Sequence, residues 1–342
     1  MNESQAYHYI GLDIHKRTVV FCEKTLTGKT VDQGTIQARR AELRAFADSR
    51  QRPWIGGMEA TLFSGWVYDM LLPYAAELHV GHPLRLKALS KNKNDRIDAK
   101  MLANLLRADL FPSCYMPCAE VRELRRVLRY RNFLVLQATR MKNKTSGLLM
   151  EVGAQYDKKR LHGKQYFSEL LGSLEEIPDS VRELLRMTRT SLEIFTSAQA
   201  RLLKALANHA ALRERLELLK TIAGVGDITG LTWALEVDDP HRFSSIKKAQ
   251  SYCGLCSAQH ESAGKQWRAP LSKERNPHLQ TILIEAAKLA PSKHRCHERV
   301  HTAAIQRGHT PNRATLAVAR KLVAYLMAID KSGNPFTAQE PG

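Results

Sequence analysis

Four acidic residues in a strongly basic chain have the types and spacing to do chemistry on phosphate. Asp13 lies in GLDIHK, Glu59 in GGMEAT, and Asp95 and Asp98 in KNKNDRIDAKMLA. Asp95 and Asp98 stand three residues apart, so on a helix they share a face. With Asp13 in a first strand and Glu59 ending a later one, a helix opening at Asp95 and packed on the sheet brings all four carboxylates to the strand ends. Such a cluster needs counter-charge to stay ionised, and divalent cations with hard oxygen ligands supply it. Two magnesium ions held in this way activate an attacking oxygen and stabilise a leaving one. Each residue alone has a plainer reading: Asp95 as an N-cap, Asp98 as a first-turn acid, Glu59 as a solvated strand end, Asp13 as a polar neighbour of a turn. Their conjunction in one strand order points to metal.

The elements that must position these residues follow from the patterning. Residues 7–14, 17–24 and 30–37 alternate apolar stretches with turn signals and read as three strands in a meander. A helix over 41–49, a buried strand over 53–59, an apolar helix over 64–74, a strand over 77–83 and the helix opened by Asp95 complete an α/β core with a mixed sheet, in the ribonuclease-H-like order. From about residue 120 to the low 210s the pattern is almost wholly helical. Leu185, Leu192, Phe195, Leu202 and Leu206 form a seam suited to a long helical hairpin or coiled coil, or equally to an ordinary bundle helix. A third region begins at KTIAGVGDITG and reads as helical to about residue 329, with KSGNPFTAQEPG as a tail. The expected divisions are 1–150, 151–215 and 216–342. Residues 158–180 carry no assignable motif.

Charge identifies the partner class. The 342 residues hold 52 lysines and arginines against 34 acids, a net charge of +18, which calls for an acidic partner, most often nucleic acid. Arg85, Lys87, Lys91, Lys93, Arg96 and Lys100 surround the paired aspartates. Arg122, Arg125, Arg126 and Arg129 then form a helical stripe suited to a phosphate backbone, continued by Arg131, Arg140, Lys142 and Lys144 and opposed only by Glu123. A solvated helix face is the plainer reading, but such faces mix their signs and this one does not. No apolar run reaches membrane-spanning length and the N-terminal stretch has no signal-peptide pattern, so the expected compartment is the cytoplasm. Six cysteines in a chain this long suggest reduced thiols rather than a disulfide framework.

Two further motifs concern the C-terminal region. The stretch IAGVG, residues 222–226, is like the turn of a helix-hairpin-helix element, in which glycines let backbone N–H groups approach a phosphate; a plain interhelical turn has the same composition. Cys253 and Cys256 have CxxC spacing, and His294, Cys296, His297 and His301 cluster later, which allows zinc; buried thiols suit the apolar CGLC stretch better.

Taken together, GLDIHK, GGMEAT, KNKNDRIDAKMLA, AGVGDITG, HESAGK and NPHLQTILIEAA resemble, in order and over nearly the whole length, the serine-bearing DEDD transposases of the IS110 insertion-sequence group and its IS1111 branch. The resemblance implies a RuvC-like N-terminal domain with Asp13, Glu59, Asp95 and Asp98 as its acidic set, a coiled-coil linker, and a C-terminal transposase domain in which Ser262 of QHESAGK is the nucleophile. A serine there otherwise reads as a turn residue. Further implications are magnesium as cofactor, donor and target DNA as substrates, a structured bridge RNA as guide, and a homo-oligomer, dimer or tetramer. Two rivals remain: a RuvC-like junction nuclease in which activated water attacks, and a non-catalytic nucleic-acid-binding protein whose carboxylates only cap and pair.

Overall fold

The computed structural model describes residues 7–89, 95–175, 177–262 and 265–337, with side chains for all of these outside 95–96 and 258–269. It divides into two compact units, Met1–Ala119 and Glu120–Gly342. This division falls about one long helix ahead of residue 150.

The first unit is a six-stranded mixed sheet in the order β3-β2-β1-β4-β5-β6, consistent with the ribonuclease-H-like order. β1 (His8–Ile14), β2 (Thr18–Lys24) and β3 (Thr30–Gln37) form the expected antiparallel meander, and β4 (Trp54–Glu59) and β5 (Glu77–Gly81) add in parallel. A two-residue strand that the patterning did not suggest, β6 (Ser113–Cys114), closes the edge antiparallel to β5.

Side chains alternate across the sheet, and this sets its two faces. One carries Ile10, Leu12, Val19, Phe21, Trp54 and Met58, all buried, against helices α1 (Arg40–Asp48) and α2 (Ser64–Leu71). The other has glycines at its centre. Gly11 and Gly57 are paired neighbours, and a Cβ at Gly11 would lie 2.0 Å from the Ala99 carbonyl oxygen and 2.6 Å from the Ala103 nitrogen. Helix α4 (Asp95–Arg107) therefore lies backbone on backbone across β1, at a distance only glycine permits. A short helix, α3 (Pro83–Leu89), precedes it.

Among its described residues the second unit is helical, apart from one hairpin. Helix α5 (Ala119–Glu151) opens it, followed by α6 (Lys164–Ser173), α7 (Asp179–Ala207), α8 (Ala210–Lys220), α9 (Asp227–Val237) and α10 (Ile246–Tyr252). The strands β7 (Ser257–Ser262) and β8 (Lys265–Leu271) precede α11 (Pro277–Leu289), α12 (Arg295–Gln306) and α13 (Pro311–Ser332). The expectation of continuous helix beyond residue 220 is thus corrected at 257–271: antiparallel pairing from Ser257↔Leu271 to Ser262↔Lys265 takes up this stretch's backbone groups instead.

Of the α7 seam, Leu185, Leu192 and Leu206 are buried, and the two ends serve different clusters. Leu206 packs with Leu128, Trp233 and Leu322 in the main core, whereas Leu185 packs with Leu148, Leu149, Leu161, Phe167 and Leu170. The latter cluster accounts for residues 158–180. Their α6 supplies Phe167 and Leu170, and Arg182 and Arg189 donate to the Leu171 and His162 carbonyls at 2.6 and 2.9 Å.

Candidate active site

The sheet register places two of the four carboxylates. Strands β1 and β4 run parallel with Leu12 opposite Met58, so Asp13 and Glu59 follow as neighbours at the carboxyl ends of adjacent strands. They stand on the same face as Gly11 and Gly57, the face that α4 covers. Helix α4 runs antiparallel to β1. Its last residue, Arg107, donates to the Leu26 carbonyl at 3.2 Å, in the β2–β3 connection beside the start of β1, whereas Ala99 already lies over Gly11. The N-terminal turn of α4, with Asp95 and Asp98, therefore points to the strand end that holds Asp13 and Glu59.

Within this region Asp13 is mostly buried, with 16% of its side chain exposed, and His15 Nε2 donates to its Oδ2 at 3.1 Å. Glu59 and Asp98 are half-buried. Among the described residues no three histidine, cysteine or acidic side chains close on one point, and the side chain of Asp95 lies outside those described. The donor set is nonetheless oxygen only, drawn from two strands and a helix, which suits a hard divalent cation.

The second unit holds Ser262 as the last residue of β7, with its backbone paired to Lys265. Its side chain, like those of His260, Glu261, Lys265 and Arg268, lies outside the described ones.

Two family models match the chain. One, a transposase model of the DEDD IS110 type, covers residues 10–153 and takes in Asp13, Glu59, Asp95 and Asp98. The other, "Transposase IS116/IS110/IS902 family", covers residues 216–304 and takes in Ser262. The chain belongs to the IS110 family of transposases. It is 25% identical to the transposase for insertion sequence element IS1111A of Coxiella burnetii over 328 residues, which is 94% of this chain and 88% of the relative. A probable family 20 transposase of Pseudomonas aeruginosa is 26% identical over 294 residues, 83% of this chain and 80% of the relative. The transposase for IS1328 of Yersinia enterocolitica is 25% identical over 222 residues, 61% of this chain and 64% of the relative.

The basic stripe of this transposase divides in the folded chain. Arg125 donates from Nε and Nη2 to the Leu235 carbonyl, at 2.8 and 2.6 Å, and is mostly buried. Arg129 makes a two-pronged bond to Glu236, Nε to Oε1 and Nη2 to Oε2, both 2.8 Å. These two residues therefore bind α9 instead of forming a continuous cationic face with Arg122 and Arg126. Arg126, Lys142 and Lys144 remain exposed, Arg122 half-buried.

Glu236 is a residue that sequence reasoning missed. It is fully buried, accepts a third bond from Asn276 Nδ2 at 2.8 Å, and so ties α5, α9 and the start of α11 together. Burial pushes its carboxyl pKa up, but the bonds and charge of Arg129, the Asn276 bond and the charge of Arg125 outweigh this and hold it below the ordinary carboxylate value. A depressed folded pKa contributes stability above the unfolded value of about 4.3 and loses it as the pH falls through the folded value. Breaking a buried pair from one side costs roughly 3–5 kcal/mol, and the lower end applies because Arg129 is 48% exposed and can be resolvated. Urea unfolding of Glu236→Ala at pH 7 should show a loss of about 3 kcal/mol. A loss below about 1 kcal/mol would mean that the pair contributes little.

Of the metal-spaced residues, His294 and His297 have other partners and Cys253 is buried. Cys253 is buried and desolvation pushes its thiol up to about 12, which keeps it protonated. Cys256 is half-buried. His294 caps α12 by accepting from the Cys296 backbone N–H at 3.2 Å. His297, fully buried, donates from Nε2 to the Ala223 carbonyl at 3.0 Å. That bond holds the turn between α8 and α9, where Gly224 has φ +90° and a Cβ would lie 2.9 Å from the Ala290 Cβ. No helix among the described residues is long and apolar enough to cross a membrane.

Proposed function

We propose that this transposase cuts DNA at the ends of its insertion element and rejoins it at a target through a phosphoserine intermediate on Ser262, with a bridge RNA choosing both sites. The observation that carries this reading is the convergence in one unit of Asp13, Glu59 and the α4 N-terminus at one sheet end, in a chain whose other unit bears Ser262 inside the matched transposase segment. The N-terminal part is read as a RuvC-like domain, residues 151–215 as a helical coiled-coil linker, and residues 216–342 as the serine-bearing domain with a helix-hairpin-helix-like turn at 222–226.

Ser262 attacks phosphorus through its hydroxyl oxygen. One P–O ester bond to the serine forms, one P–O bond to a deoxyribose oxygen breaks, the serine proton is lost and the departing deoxyribose oxygen takes one up. The ester energy is retained, so a strand-end hydroxyl reverses the step at a new partner without ATP. Asp13, Glu59, Asp95 and Asp98 would hold magnesium, which when bound supplies charge stabilisation to the phosphate oxygens. His15, donating to Asp13, orients that carboxylate. Arg126, with Arg122 one turn before it, contacts nucleic-acid phosphates, as do Lys142 and Lys144 further along α5. Strand exchange needs several sites at once, so a dimer assembling to a tetramer fits the reaction.

The test is joining of a labelled element end to a target duplex by the purified protein, its co-purifying RNA and magnesium. Joined product that disappears when the RNA is digested is expected. Free cut ends with no joined product would favour a junction nuclease. DNA binding without any cutting would favour the non-catalytic reading.

A further inference from the structure

A cavity of about 470 Å³ opens among α5, α9 and α11 in the second unit. Its size lies within the roughly 300–1,000 Å³ of small-ligand sites. The wall is apolar, from Phe133, Leu136, Ile228 and Ile282, and it continues onto the surface, since Phe133 is 47% and Leu136 60% exposed. The polar lining is one-sided in charge: Arg129 and Arg131 contribute, and no lining residue is acidic.

Neither arginine is fully committed among the described residues. Arg129 uses Nε and Nη2 on Glu236, which leaves Nη1. Arg131 gives Nη1 to the Asn132 side-chain oxygen at 3.1 Å, while its Nε is buried without a hydrogen-bond partner. A buried donor left unpaired is costly, and an anionic oxygen seated there would relieve it. The occupant that fits is therefore flat and apolar on one part and anionic on the other.

We infer that this cavity seats one unstacked nucleotide of a bound nucleic acid, its base against Phe133 and Ile282 and its phosphate on Arg129 and Arg131. Base-on-aromatic stacking joined to arginine–phosphate contact is how single strands are held without sequence readout. The inference rests on the proposed function, because it takes the partner of a chain with net charge +18 to be a polynucleotide.

The test uses the full-length protein and a short single-stranded oligonucleotide carrying one iodouracil. Photo-crosslinking followed by peptide mapping should mark Phe133 or Ile282. Two variants alter the cavity from its rim: Phe133→Ala removes the stacking face, and Thr281→Trp, at an exposed lining position, fills the space. Each should weaken oligonucleotide binding about 5- to 150-fold and leave binding of an abasic strand unchanged. Unchanged affinity in both variants with crosslinks mapping elsewhere would overturn the cavity's role and leave the proposed function standing. A wild-type protein that neither binds nucleic acid nor joins DNA would overturn both. If Phe133→Ala abolished self-association at unchanged oligonucleotide affinity, the cavity would belong to a second copy of the chain, and the inference would fall.

Discussion

Ser262→Ala is expected to form no covalent protein–DNA adduct, where the wild-type protein with its DNA and RNA partners gives one on a denaturing gel. A serine nucleophile must become joined to the cut strand, whereas activated water leaves free ends. Joining should fall by about four orders of magnitude or more, as it does when a nucleophile is removed from an enzyme that has no substitute for it. DNA binding and stability should be retained, because alanine deletes one hydroxyl and the β7–β8 backbone pairing from Ser257 to Leu271 does not depend on it. An adduct that persists in the variant would transfer the role to Ser257 or Ser272. Efficient cutting without an adduct in either protein would mean that water attacks, and the junction-nuclease reading would replace ours.

Asp98→Asn and Asp95→Asn should each abolish strand cleavage, by roughly 1,000-fold or more, with folding almost unaffected. The expectation rests on a difference of magnitude. An asparagine keeps the volume but removes the charge that holds a divalent cation, and losing metal stabilisation of phosphate oxygens forfeits several kcal/mol of the barrier reduction. In the plainer reading, an acid in the first turn of α4 contributes only about 0.3–1 kcal/mol through the helix dipole. Cleavage assays beside thermal melts separate the two. Near-normal cleavage with a loss of about 1 kcal/mol in stability would assign both aspartates to helix capping.

Much of the first unit was legible in the chain because its signals are local. The alternation in TVDQGTIQ reappears as the alternating exposure of β3, and GGME reads as a buried strand because one row of its residues faces a packed core. The short polar run HESAGKQWRAP has no apolar alternation to declare two strands. Its pairing comes from backbone bonds between segments, and a helical expectation carried through it.

By itself, the sequence determined the order of the first strands along the chain, the acidic class of partner that a basic chain calls for, and the presence of four carboxylates and one serine in ordered motifs. Composition and local periodicity are properties of neighbours along the chain. The tertiary structure decided what each charge faces. Glu236 in ALEVDD and Arg125 and Arg129 in the stripe look like surface residues, and only the packing of α5 on α9 gathers the two arginines around a buried carboxylate, the Arg129–Glu236 bond joining positions 107 residues apart. Gly11 shows the same division on the other unit. Its smallness is written in the chain, but that it admits the α4 backbone, and so turns Asp95 and Asp98 to the end of the sheet that holds Asp13 and Glu59, depends on where that helix lies.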